Sequence, residues 1–140
     1  MSKQPSFEIL EHTADIGIIV YGDNIKQIFS MAAEGLFSLI TNMDEIQTKI
    51  NRNVEVVAQD TEALLVSWLN ELIFIHEVEH ILFKVFKIDR IDNNRISAVC
   101  FGETITENHE ITREVKAATY HMLSIEKHAG RFTARVLFDL

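Results

Sequence analysis

Two sets of residues have types and spacings suited to chemistry. The segment His76-Glu77-Val78-Glu79-His80 fits the H-E-x-x-H pattern. On a helix, residues four apart share a face, so both imidazoles could hold zinc with Glu77 as general base. Three features weigh against that reading. Ile81 already begins a strand pattern, which puts the motif at a frayed helix end. His76 continues the apolar stripe of Trp68, Leu69 and Leu72. A third ligand must come from elsewhere, with His109 or Glu110 the unforced choices. A polar helix end, with histidines near the negative pole of the helix dipole, accounts for the segment without a metal.

The second set is dispersed. Asp15 lies in a break between two strand-like segments, Asp139 is the penultimate residue, and Leu140 carries the terminal carboxylate. If the last strand lies beside the first pair, these anionic groups meet at one sheet end. Such a cluster repels itself unless a cation occupies it or one acid is protonated. Its hard oxygens suit calcium or magnesium rather than zinc. The competing reading is a turn-forming aspartate and a solvated chain end. His12 and His121 are the other polar residues near this region, and a histidine with strand neighbours is usually a hydrogen-bonded structural residue. Lys116 precedes the last hairpin and could reach a carboxylate or a phosphate, although a solvated lysine is the default. Gly17 and Gly22 are too isolated to cradle a nucleotide.

The elements that must position these residues follow from periodicity. Phe7 and Ile9, then Ile16, Ile18 and Val20, alternate as two short strands around Glu11–Asp15. Gly22-Asp23-Asn24 supplies a stop and an N-cap. Ile25, Ile28, Phe29, Ala32, Ala33, Leu36, Phe37 and Ile40 then recur at helical spacing. Val54, Val56 and Ala58 predict a strand ending at Gln59. Asp60 or Thr61 caps a second helix with Leu64, Leu65, Trp68, Leu69, Leu72, Ile73 and His76 on its apolar face. Ile81–Ile88 and Ile96–Phe101 read as a hairpin with Asp92-Asn93-Asn94 at its tip.

The last thirty residues read as a hairpin too. Ala117–Lys127 and Arg131–Asp139 flank a three-residue His128-Ala129-Gly130 turn. Pairing Lys127 with Arg131 puts Tyr120 opposite Phe138, Met122 opposite Val136 and Thr119 opposite Asp139. The other face then carries Thr119, His121, Arg135 and Asp139, an assignment that a bulge would change. The expected fold class is α+β: mainly antiparallel strands with two long helices packed on one face, in a single domain over 6–140 behind a tail at 1–5.

Composition narrows the function. Thirteen basic against twenty-one acidic residues give a formal charge of −8. That balance offers the whole molecule no electrostatic footprint for a phosphate backbone, so direct nucleic-acid binding is not expected. It fits docking to a basic, RNA-handling enzyme better. The one cysteine, Cys100, sits in an apolar run and reads as a small buried hydrophobe in a reducing compartment. No apolar run follows Met1–Pro5, and Leu64–Ile75 is too short and interrupted to cross a bilayer, so a cytoplasmic protein without a signal peptide or membrane span is expected.

Five segments, taken in order, resemble the archease family. They are Phe7-Glu8-Ile9-Leu10-Glu11-His12-Thr13-Ala14-Asp15-Ile16-Gly17, the helix with Ala32-Ala33-Glu34-Gly35-Leu36-Phe37, the segment Glu62–Leu72, Lys116-Ala117-Ala118-Thr119-Tyr120-His121, and the ending Ala134-Arg135-Val136-Leu137-Phe138-Asp139-Leu140. The resemblance covers essentially residues 6–140. It implies a role rather than a reaction: archeases are non-enzymatic accessory proteins of the RNA ligase that joins exons in tRNA splicing, and they help it acquire guanylate and turn over repeatedly. It also implies a divalent metal site of the calcium type, which maps onto Asp15, Asp139 and Leu140, with His12, Lys116, Thr119 and His121 as neighbours. The family pattern does not require His76 and His80, so the zinc match reads as accidental. Two rival functions stay open at this point: a small zinc hydrolase using His76, Glu77 and His80, and a general chaperone or interaction module.

Overall fold

The computed structural model describes residues 4–11 and 15–140. His12, expected as a neighbour of the acidic site, lies outside the described residues. Among the described residues, seven strands and two long helices follow one another as β1 (Ser6–Glu11), β2 (Ile16–Gly22), α1 (Ile25–Ile40), β3 (Ile50–Val57), α2 (Thr61–Glu79), β4 (Ile81–Ile91), β5 (Arg95–Thr104), β6 (Ala117–His128) and β7 (Arg131–Asp139). All pairings are antiparallel. They form a four-stranded sheet in the order β1-β2-β7-β6 and a three-stranded sheet in the order β3-β5-β4. Among the described residues no helix is long and apolar enough to cross a membrane.

Local chemistry sets the helix ends. The Asn24 side chain accepts a hydrogen bond from the Gln27 amide at 2.9 Å and starts α1. Asp60 does the same for the Ala63 amide at 2.8 Å and starts α2. Each cap satisfies an amide that has no partner within its own helix. The predicted apolar stripe of α1 is buried, from Ile28 and Phe29 to Ile40. α2 buries residues on most of its circumference, including Leu64, Leu65, Val66, Trp68, Leu69 and Ile73, because it lies between β6 of one sheet and β3 of the other. The Trp68 indole donates to the Phe29 carbonyl at 3.0 Å and joins the helices in the interior. The Phe37 ring packs on Phe83 and Phe86 of β4, with centroids 5.8 Å away in each case. Each sheet thus turns one face to the helices, and a single apolar cluster runs through both.

The last hairpin departs from the expected register. Its turn is Ala129-Gly130, both at positive φ (52° and 79°), so His128 pairs with Arg131 and Lys127 with Phe132. Two left-handed residues match the twist of paired strands, which favours the tighter turn. The pairing then breaks: Thr119 stands opposite Leu137 and Ser124 opposite Arg135. Tyr120, His121, Met122 and Leu123 therefore face Val136 alone, as a wide bulge in an edge strand. The bulge overturns three expected pairs. Ala118, not Tyr120, is opposite Phe138; Ala117, not Thr119, is opposite Asp139; and Met122 has no ladder partner. Elsewhere, β3 ends at Val57 rather than Gln59, and β4 and β5 run past their expected limits.

Candidate functional site

The site is built on the β2–β7 pairing. Ile16 stands opposite Phe138, and both side chains are in the core. Asp15, just before β2, and Asp139, the last residue of β7, lie one residue beyond this pair at the same sheet end. Alternation fixes the face. Ile18 and Val20 of β2 and Ala134, Val136 and Phe138 of β7 point inward, so Gly17, Ile19, Arg135 and Leu137 lie on the outer face with the two aspartates. Asp15 is half-buried, Asp139 is exposed, and Leu140 follows it half-exposed. Neither aspartate forms an ion pair with a described residue.

Three further predicted neighbours come from β6 and the residue before it. The Lys116 amide donates to the Asp139 carbonyl at 2.9 Å, which fixes the start of β6 beside the second acid. The Thr119 hydroxyl donates to the Leu137 carbonyl at 3.2 Å, so its oxygen is engaged by the sheet. His121, in the bulge, lines a cavity of about 510 Å³ together with Asp15 and Arg135. Lys116 also lines a second cavity of about 380 Å³, which it shares with His76, Glu77 and Glu114.

The donor chemistry of the acidic end fits a hard cation. It comprises two carboxylates not paired with arginine or lysine, on one face of one sheet end, with the main-chain oxygens of Leu140 next in sequence. Among the described residues, no group of three or more His, Cys, Asp or Glu side chains comes together as a metal site. A cation here would therefore rest on two side chains plus main-chain oxygen.

The zinc pattern is not assembled. Glu79 ends α2, and His80 adopts a left-handed conformation (φ 58°) as its C-cap, donating its amide to the His76 carbonyl at 3.0 Å. His80 has therefore left the helical face that carries His76. The His76 ring packs edge-on against Phe37, and its Nδ1 is 2.9 Å from the Ile81 carbonyl. His109 is committed elsewhere: it is buried with its Nε2 3.1 Å from the Glu103 carboxylate. That pair is a structural clamp which the spacing of the sequence did not reveal. Cys100 is fully buried, and burial pushes its thiol up to about 12, in keeping with an inert core residue.

Arg135 is the residue that sequence reasoning placed on this face without a role. Its Nε is buried and has no hydrogen-bond partner among the described residues. Only the bulge, which sequence alternation cannot locate, turns its surroundings into a cavity.

The chain matches the model of the Archease protein family (MTH1598/TM1083) over residues 7–140. It is 39 % identical over 137 residues to Protein archease of Methanothermobacter thermautotrophicus, a match covering 96 % of this chain and 98 % of that one. The solution structure of Methanobacterium thermoautotrophicum protein 1598 superposes with a TM-score of 0.81 at 40 % identity, covering 96 % of this chain and 98 % of that chain. The crystal structure of an archease from Thermotoga maritima, described as a possible chaperone, shares the fold at a TM-score of 0.64 and 22 % identity, over 100 % of this chain and 98 % of that one.

Proposed function

This chain belongs to the archease family, and from that premise we propose that it activates the RNA ligase that joins exons in tRNA splicing, promoting ligase guanylylation and repeated turnover through an acidic divalent-metal site. In this reading it is a cytoplasmic accessory protein without a reaction of its own. The observation that supports it is the β2–β7 register, whose last pair is Ile16 opposite Phe138, with Asp15 and Asp139 next in sequence at that sheet end. Their carboxylates and main-chain oxygen of Leu140 would hold the ion, with calcium the best match to an all-oxygen set. When bound, the ion supplies positive charge that phosphate oxygens can share. The protein's part is to hold the acids at the end of the central β2–β7 pair and to present them to the ligase. Lys116 is tied to Asp139 through its backbone amide and lines the cavity beside His76 and Glu77. The net charge of −8 favours a basic partner surface.

Ligase guanylylation and turnover, measured with and without this protein at limiting metal and GTP, test the reading. Asp15→Ala and Asp139→Ala should fold and fail to stimulate. Full stimulation by both folded variants rejects the site. It favours a general chaperone role instead, one indifferent to either acid.

A further inference from the structure

The outer face of the four-stranded sheet carries a trough roofed by the β6 bulge. Its larger cavity, about 510 Å³, is lined by Leu10, Asp15, Ile19, His121, Leu137 and, at the junction, Met122 and Arg135. A smaller one of about 270 Å³ continues past Met122 and Arg135 towards Ser124 and Thr133. The larger volume is in the range of small-molecule sites, and its mixture of apolar walls with a few convergent polar groups is typical of them. Met122, at the crest, holds a left-handed φ of 55°, a conformation costly for an unbranched side chain and often found at ligand clamps.

Arg135 gives the trough its chemistry. Its Nε is buried without a partner, and no ion pair or hydrogen bond joins its guanidinium to any described residue. A guanidinium offers five donors in a planar fork that matches phosphate oxygens. In a chain of net charge −8, an unpaired arginine beside a cavity is a local exception to the surrounding field. His121 lines the same cavity and can donate a second hydrogen bond. Leu10, Ile19 and Leu137 offer an apolar wall to the carbon skeleton of a ligand. Asp15 lies in the same lining; it repels a second anionic group and accepts hydroxyl hydrogens.

We propose that this trough binds a phosphate monoester, with its phosphate on Arg135 and His121 and its hydroxyl-bearing skeleton against Leu10, Ile19 and Leu137. The proposal needs neither a bound cation nor the ligase. It is tested on the isolated full chain in the presence of EDTA, so its failure and that of the metal reading are separable.

Amide chemical shifts are followed while inorganic phosphate, ribose 5-phosphate or AMP is added to about 10 mM, a range that captures millimolar affinity. The expected result is saturable shifts at Ile19, Met122, Ser124 and Leu137 with one or both esters, and weaker binding of inorganic phosphate. Ribose 5-phosphate and AMP separate a sugar phosphate from a nucleotide as the source. Arg135→Gln should weaken the ester about tenfold or more, and Arg135→Lys, which keeps the charge but loses the fork, by less. If the glutamine variant does not fold, the lysine variant carries the comparison. Absence of shifts overturns the proposal, with solvent then satisfying Arg135. So does equal affinity in wild type and variants, or inorganic phosphate binding as tightly as both esters.

Discussion

Asn70 of α2 and Ala118 of β6 exchange two hydrogen bonds: the Ala118 amide donates to Asn70 Oδ1 at 2.7 Å, and Asn70 Nδ2 donates to the Ala118 carbonyl at 3.3 Å. β6 is an edge strand, and this side chain occupies the place that another strand would take. The same contact holds β6 where its start meets Asp139. Asn70→Ala leaves two backbone groups short of partners and should lower unfolding free energy by about 2 kcal/mol in urea titration. A change within about 0.5 kcal/mol, the usual range for surface substitutions, would show that the edge is held by packing alone.

Gly17 lies in β2 opposite Leu137. A β-carbon added there would fall 2.8 Å from the Val136 carbonyl oxygen and against the Leu137 side chain. The backbone oxygen belongs to the ladder that brings the two acids together, so it cannot yield without parting β2 from β7. Gly17→Ala should cost about 1–3 kcal/mol and lower Tm in a thermal scan. An unchanged Tm contradicts so close an approach.

Glu103 receives a hydrogen bond from the Gln47 amide at 2.6 Å and lies 3.1 Å from His109. The Gln47 amide is the main influence holding its carboxyl below the usual glutamate range; His109 and Lys49 assist, and desolvation opposes them. A carboxyl whose pKa is depressed by folding contributes stability above its unfolded pKa, about 4.3 for glutamate, and loses it as pH falls through the lower folded value. Glu103→Gln should therefore be less stable than wild type at pH 7, with the gap constant down to about pH 5 and closing at lower pH. Urea unfolding at several pH values checks this, and a gap that widens in acid contradicts the sign.

The helices were legible because caps and periodicity are local. Asn24 and Asp60 mark their starts, and α1 buries the stripe its spacing traces. The acidic site was legible only in conditional form. Asp15 and Asp139 are far apart in sequence, and nothing local decides whether β7 joins β2; the sheet order supplies that step. The β6 bulge was not legible. Alternation has a period of two, and four residues looping past Val136 leave no mark in it until the partner strand is known. The H-E-x-x-H segment matched in spacing and failed in conformation, because a helix that stops at Glu79 takes His80 off the shared face.

Calcium titration of the isolated protein, followed calorimetrically and by amide shifts, tests the convergence of Asp15, Asp139 and Leu140 most directly. The expected result is one ion per chain, with shifts centred on residues 15–17 and 138–140. Asp15→Asn and Asp139→Asn should each weaken binding about tenfold or more. No binding, or binding that survives both asparagine substitutions unchanged, would contradict a cation site at this sheet end.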